Sequence, residues 1–143
     1  MRLLRSALRR PLADILLVVN AVAVHLTAAA ALRVVGLKRI SAWLTCGSAA
    51  LPPSNIELER RVAWAVRTAT HLVPAGRTCL SEALTAVHLL GRRGSAATLR
   101  IGVAKSGDRE LAAHAWVEQS GRTIIGGETA AEYLPLVSPK EVE

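Results

Sequence analysis

Near Gly94 the hydrophobic pattern of this chain changes period. Before it, Leu80, Ala83, Leu84, Val87 and Gly91 recur at intervals of three and four, the spacing of one helix face. After it, Ala97, Leu99, Ile101 and Val103 alternate with Thr98, Arg100 and Gly102, the spacing of a strand buried on one side. The alternation resumes beyond a polar turn at residues 105–110. There Leu111, Ala113, Ala115 and Val117 stand opposite His114, Trp116 and Glu118. A second turn, at residues 120–122, leads into a third strand at residues 123–126. Alternating segments joined by short polar turns predict an antiparallel meander. Helices followed by such a meander define an α+β fold.

Three further helices are predicted upstream of this point. The stretch from Leu12 to Val35, ended by Gly36, reads as a buried or surface-docked helix. A basic start with Arg2, Arg5, Arg9 and Arg10 also fits a signal peptide or a membrane anchor. Against both, Asp14, Asn20, His25, Thr27 and Arg33 interrupt the apolar run, which falls short of the ~18 residues of a span. Peripheral membrane contact through this helix is compatible with either reading. A short helix is expected around residues 37–47, and residues 51–55 form a linker. Ser54 and Glu57 have the spacing of a capping box. Leu58, Val62, Ala65, Val66, Ala69 and Leu72 then line one helix face, with Glu59, Arg60 and Arg67 on the other. The expected organisation is an N-terminal helical region, residues 1–51, and a core, residues 52–143, forming one compact unit.

Composition narrows the function without choosing it. Hydrophobic residues make up 51% of the 143, aromatics only 3%, and Phe is absent, so the core must be Leu, Val, Ile and Ala. The net charge of +7 suits an acidic peptide, an anionic lipid or nucleic acid. Aromatic residues do not interleave with the basic ones, and no base-reading helix stands out, so no nucleic-acid partner is expected. No CxxC or HxxxH pair gives zinc-ligand spacing, and no cofactor or metal is implied. Cys46 reads as a small buried hydrophobe.

Cys79 is different. It follows a Gly-Arg-Thr turn and opens the helix that ends at residues 91–94. The first N–H groups of a helix lack partners and the dipole is positive there, which favours a thiolate and can hold an oxyanion. A buried core cysteine is the plainer reading of the same position. A nucleophile needs a base. His88 lies in the same helix, ~13 Å along it and half a turn round, out of reach. His71 reads as a boundary residue and His25 as a satisfied core histidine. His114 remains, on a strand face shared with Trp116. Should the cysteine helix pack on that face, Cys79 and His114 can meet.

The order of these pieces carries a resemblance. Cys-Leu-x-x-Ala-Leu at residues 79–84, Leu-Leu-x-Arg-Arg-Gly at 89–94 and Leu-x-Ile-Gly-Val at 99–103 form its first half. Ala-His-Ala-Trp-Val-Glu at 113–118 and the closing Gly-Gly-Glu and Tyr-Leu-Pro-Leu elements complete it. Over roughly residues 56–137 the chain resembles the leader peptidases of lasso-peptide biosynthesis, cysteine peptidases of the transglutaminase-like and papain-like fold. The resemblance implies Cys79 as nucleophile and His114 as base. It implies removal of the leader from a ribosomally made precursor peptide, which frees the core's N-terminal amine for a separate ATP-dependent cyclase. It also implies a separate leader-recognition protein and a cytoplasmic site of action. One position departs from the pattern. Where the family carries an acid that orients the histidine, this sequence has Gly126. Glu128 is the best substitute; a backbone carbonyl or a water could also hold the ring. Glu118, ~13 Å along the strand, is too far. Two rival readings remain open: another acyl-transfer enzyme of this fold, an amidase or transferase, or a non-catalytic binding or scaffolding module.

Overall fold

The computed structural model describes residues 11–36, 54–106, 110–128 and 130–135. The short helix expected around residues 37–47 lies outside the described residues, as does Cys46. Among the described residues three helices precede the sheet: α1 (Leu12–Val34), α2 (Ile56–Leu72) and α3 (Cys79–Gly91). Strands β1 (Thr98–Ser106), β2 (Glu110–Gln119) and β3 (Arg122–Ile125) follow as antiparallel neighbours. After a single 3-10 turn (Ala130–Glu132), β4 (Leu134–Pro135) returns beside β1, so the sheet order is β3-β2-β1-β4. The meander is as expected. β4 was not, because two residues containing a proline show no alternation to read.

Helix α1 buries one stripe: Asp14, Leu17, Ala21, His25 and Ala29, spaced by three and then four. Leu17 and Ala21 join the core formed with α2 and α3. The opposite side leaves Leu12, Leu16, Val19 and Leu26 exposed. By length and composition α1 is apolar enough to cross a membrane. Buried Asp14 is held by Arg61 of α2, whose Nε and Nη2 both donate to Oδ1, at 3.0 and 2.6 Å. A buried carboxylate in the first turn of an apolar helix is thus matched by a cation 47 positions away, and the pair ties α1 to α2.

Helix α2 begins one residue later than the capping-box spacing suggests. Asn55, not Ser54, is the cap, its side chain accepting from the Leu58 N–H at 3.1 Å. Ser54 instead donates to Glu59 Oε1 at 2.7 Å. Glu59, expected on the outer side, is buried, because Arg122 of β3 donates to its second oxygen at 2.8 Å. Val62, Ala65, Val66 and Ala69 face the core as expected, while Leu72, the last residue of α2, is exposed.

The core is aliphatic. Ala83, Ala86, Leu89 and Leu90 of α3 pack against Leu99, Ile101, Ala115, Val117 and Ile125 of the sheet. Each fully buried Leu or Val here stabilises the fold by about 1.5–3 kcal/mol. Alanine at Ala65, Ala69, Ala83 and Ala86 lets the helix backbones approach closely, which replaces the volume that absent Phe residues would supply. A buried bond from Ser95 Oγ to Gln119 Oε1, 2.7 Å, ties the loop after α3 to the end of β2.

Candidate active site

Local sequence sets Cys79 at the first position of α3. Thr78 is the cap: its hydroxyl accepts from the Ser81 N–H at 3.0 Å, and Ser81 Oγ accepts from the Thr78 N–H at 2.9 Å. Ser81 Oγ also reaches the Gly76 carbonyl at 3.1 Å, and Arg77 Nε donates to Glu82 Oε1 at 2.9 Å. The turn before Cys79 is therefore bound to the helix it starts. Cys79 is a free, half-buried thiol packed against the hydrophobic core. No acceptor takes its backbone N–H among the described residues. That is the free donor an oxyanion would need.

His114 lies on the other face of the sheet. Helix α3 packs on the Ala115 and Val117 face, not on the His114 face, because the branched aliphatics there need cover. The face of His114 is closed differently. Trp116 stacks alongside with ring centres 6.1 Å apart, and Tyr133 lies at 5.1 Å. Gly102, paired with His114 across β1 and β2, makes room for them. A Cβ there would come within 2.8 Å of the Trp116 ring and 2.9 Å of the Tyr133 Cβ. Glu118 accepts from Trp116 Nε1 at 2.7 Å and from Arg100 at 3.3 Å, so it serves the tryptophan and not the histidine.

The group that orients the imidazole is a backbone carbonyl. His114 Nε2 lies 2.8 Å from the Gly126 oxygen. A carbonyl can only accept, so Nε2 carries the proton and Nδ1 is left as the basic nitrogen. Gly126 has φ +78°, and a Cβ built on it would lie 2.9 Å from the Ala115 oxygen and 3.0 Å from the Trp116 Cβ. The backbone at the family's acid position is thus turned so that its own oxygen faces the ring. Glu128, the sequence-based substitute, is exposed, and no hydrogen bond or ion pair joins it to His114 among the described residues. Nor does a hydrogen bond join His114 to Cys79. The structure brings His114 together with Gly126, Trp116 and Tyr133, and sets Cys79 apart on α3. Tyr133 was missed as a site residue, although it stands in the closing element of the resemblance.

The other histidines are accounted for. His71 Nδ1 bonds the Arg67 carbonyl at 2.7 Å on the surface. Burial lowers the pKa of His88, and nearby Arg92 lowers it further. His25 is fully buried, but the expectation that it is satisfied fails: among the described residues neither ring nitrogen has a hydrogen-bond partner. Burial lowers its pKa; Glu82 and the Ala75 backbone oppose this, and Arg77 adds to it. His25 therefore sits neutral under the loop that leads to Cys79.

A helix-borne cysteine, a strand-borne histidine oriented through its far nitrogen, and a meander in this order define an α+β protein of the papain and transglutaminase type. The family model for the transglutaminase-like superfamily matches residues 22–138, and the chain belongs to that superfamily. No curated protein and no solved structure matches it significantly.

Proposed function

We propose that this chain is a cysteine peptidase that removes the leader from a ribosomally made lasso-peptide precursor. The observation that carries the reading is the His114–Gly126 bond, which leaves Nδ1 free to act as a base. In this mechanism Nδ1 takes the Cys79 proton as Sγ attacks the scissile carbonyl carbon. The oxyanion is received by the free N–H at the start of α3. Collapse of the intermediate breaks the C–N bond, and the imidazolium returns its proton to the leaving amine. Water, deprotonated by His114, then hydrolyses the thioester. No hydrogen bond joins Sγ to Nδ1 in this structure, so the reading requires the start of α3 and the His114 side of the sheet to come together when substrate binds. The freed amine is the nucleophile that a separate cyclase needs, and a separate recognition protein supplies leader affinity.

The test is cleavage of a synthetic precursor, with its recognition protein, followed by mass spectrometry. Leader and core should appear with the wild-type chain and vanish in Cys79→Ala and His114→Ala. Undiminished cleavage by Cys79→Ala would end the nucleophile assignment. No cleavage by the wild-type chain with all components present would favour a non-catalytic scaffold. Hydrolysis or transfer on small amides instead would favour the amidase or transferase alternative.

A further inference from the structure

Away from Cys79 and His114, a groove of about 370 Å³ runs between α2 and β3. One wall is the α2 face of Arg60, Trp64 and Arg67; the other is β3 with Arg122 and Ile124. Three properties of this groove point to the same ligand. First, β3 is the edge of the sheet, and among the described residues no strand pairs with its outer side. An unpaired edge is a template for an added strand. Second, the charge is unbalanced. Buried Glu59 is matched by Arg122, but Arg60 and Arg67 have no ion-pair partner among the described residues. They stand seven residues apart, ~10.5 Å along the helix, with Trp64 between them. Carboxylates on one face of an extended chain are ~7 or ~13 Å apart at the second and fourth residue, within reach of two long guanidinium arms. Third, β3 leads directly into Gly126, the residue that orients His114. A chain paired along β3 is thereby led towards the histidine.

We infer that the groove between α2 and β3 binds an extended acidic segment of the peptide substrate, as an added strand on β3 held by Arg60 and Arg67. The strand's backbone bonds give affinity without regard to sequence, and the two guanidiniums select for carboxylates. The identity of this segment as substrate rests on the peptidase reading; the binding of an acidic strand does not.

The experiment uses the full chain with Cys79→Ala, which cannot turn substrate over. The probe is a fluorescently labelled ten-residue peptide of alternating Glu and Thr, read by anisotropy. Expected are saturable binding that weakens with salt, and at least tenfold weaker binding to a Lys and Thr counterpart. Arg60→Glu with Arg67→Glu should weaken binding at least tenfold while melting within a few degrees of its parent. Should that pair fail to fold, the single variants Arg60→Gln and Arg67→Gln must each weaken it. Methylating alternate backbone nitrogens of the probe should abolish binding, because it removes the donors of the added strand. Unchanged binding of the methylated probe would overturn the strand pairing. Equal binding of the Lys peptide, displacement of the probe by single-stranded RNA with no loss in the arginine variants, or no binding at all would overturn the site. Unlabelled precursor should displace the probe, and failure to do so would overturn the assignment to substrate. Probe binding in a protein whose wild-type form never cleaves precursor supports the groove and counts against the peptidase reading alone.

Discussion

Gly126→Asp would supply the acid that the resemblance implies at this position, and the structure says that it should harm the protein. The position has φ +78°, where a side chain costs about 1–2 kcal/mol for L-residues. The new Cβ would also press on the Ala115 oxygen at 2.9 Å and the Trp116 Cβ at 3.0 Å. Both belong to the central strand, so relief requires moving β2 or β3; overpacking of this kind costs typically ~1–3 kcal/mol. The total is roughly 2–5 kcal/mol. For a chain of this length that is a fall in melting temperature on the order of 10 °C. Gly126→Ala is the control, because it adds the same Cβ without a carboxylate. Asp tolerates this backbone region better than Ala, so Ala should fall at least as far. Urea unfolding measures the loss, and precursor cleavage measures the consequence for His114. An Asp variant as stable as wild type and faster in cleavage would refute the reasoning, and would show that the carbonyl is a poor stand-in for the acid.

Four other outcomes follow from the same geometry. Replacing His25 by Leu removes two buried nitrogens that have no partner among the described residues and should leave stability unchanged or raise it by about 1 kcal/mol in urea unfolding, where most buried-residue changes lower it. The folded-state pKa of His25 is depressed below 6.5, so stability is fully present above that pH and is lost as the pH falls towards the folded value. Thermal melts at pH 7.5 and 5.5 should show the loss, and His25→Leu should reduce it, with His88 retaining a share. Asp14→Ala should cost about 1–2 kcal/mol in urea unfolding, a figure held down because the Arg61 side chain is 40% exposed. At neutral pH Cys79 should react with iodoacetamide before Cys46, because Cys79 opens a helix; mapping the first label to Cys46 by mass spectrometry would contradict this.

What the sequence revealed divides along physical lines. Periodicity is a local property, and it located α1, α2, α3 and three strands to within a residue or two. The start of α3 at Cys79 was equally legible, since Gly76 and Thr78 mark it. Partners between distant segments left no such trace. Glu59 looked like a solvated charge because nothing near it in sequence announces Arg122, 63 positions away. Asp14 looked like a blemish in an apolar run until Arg61 was seen to match it. The face on which α3 packs depended on which side of β2 needed cover. The orienting group of His114 was hidden for another reason: it is a main-chain oxygen, and residue letters report side chains only. Gly126 read as a missing acid, whereas its positive φ is what aims the carbonyl.

Tyr133 and β4 give the site an order of assembly in time. The Tyr133 ring covers one side of His114, and Leu134 and Pro135 fasten that segment to Val103 and Gly102, more than thirty residues earlier. During synthesis every other described element leaves the ribosome before this one. The helices and the three-stranded meander can close their aliphatic core while the histidine still lacks its roof. Among the described elements the cover over the imidazole is thus the last to be synthesised, so a nascent chain carries Cys79 out of the ribosome before His114 has its roof.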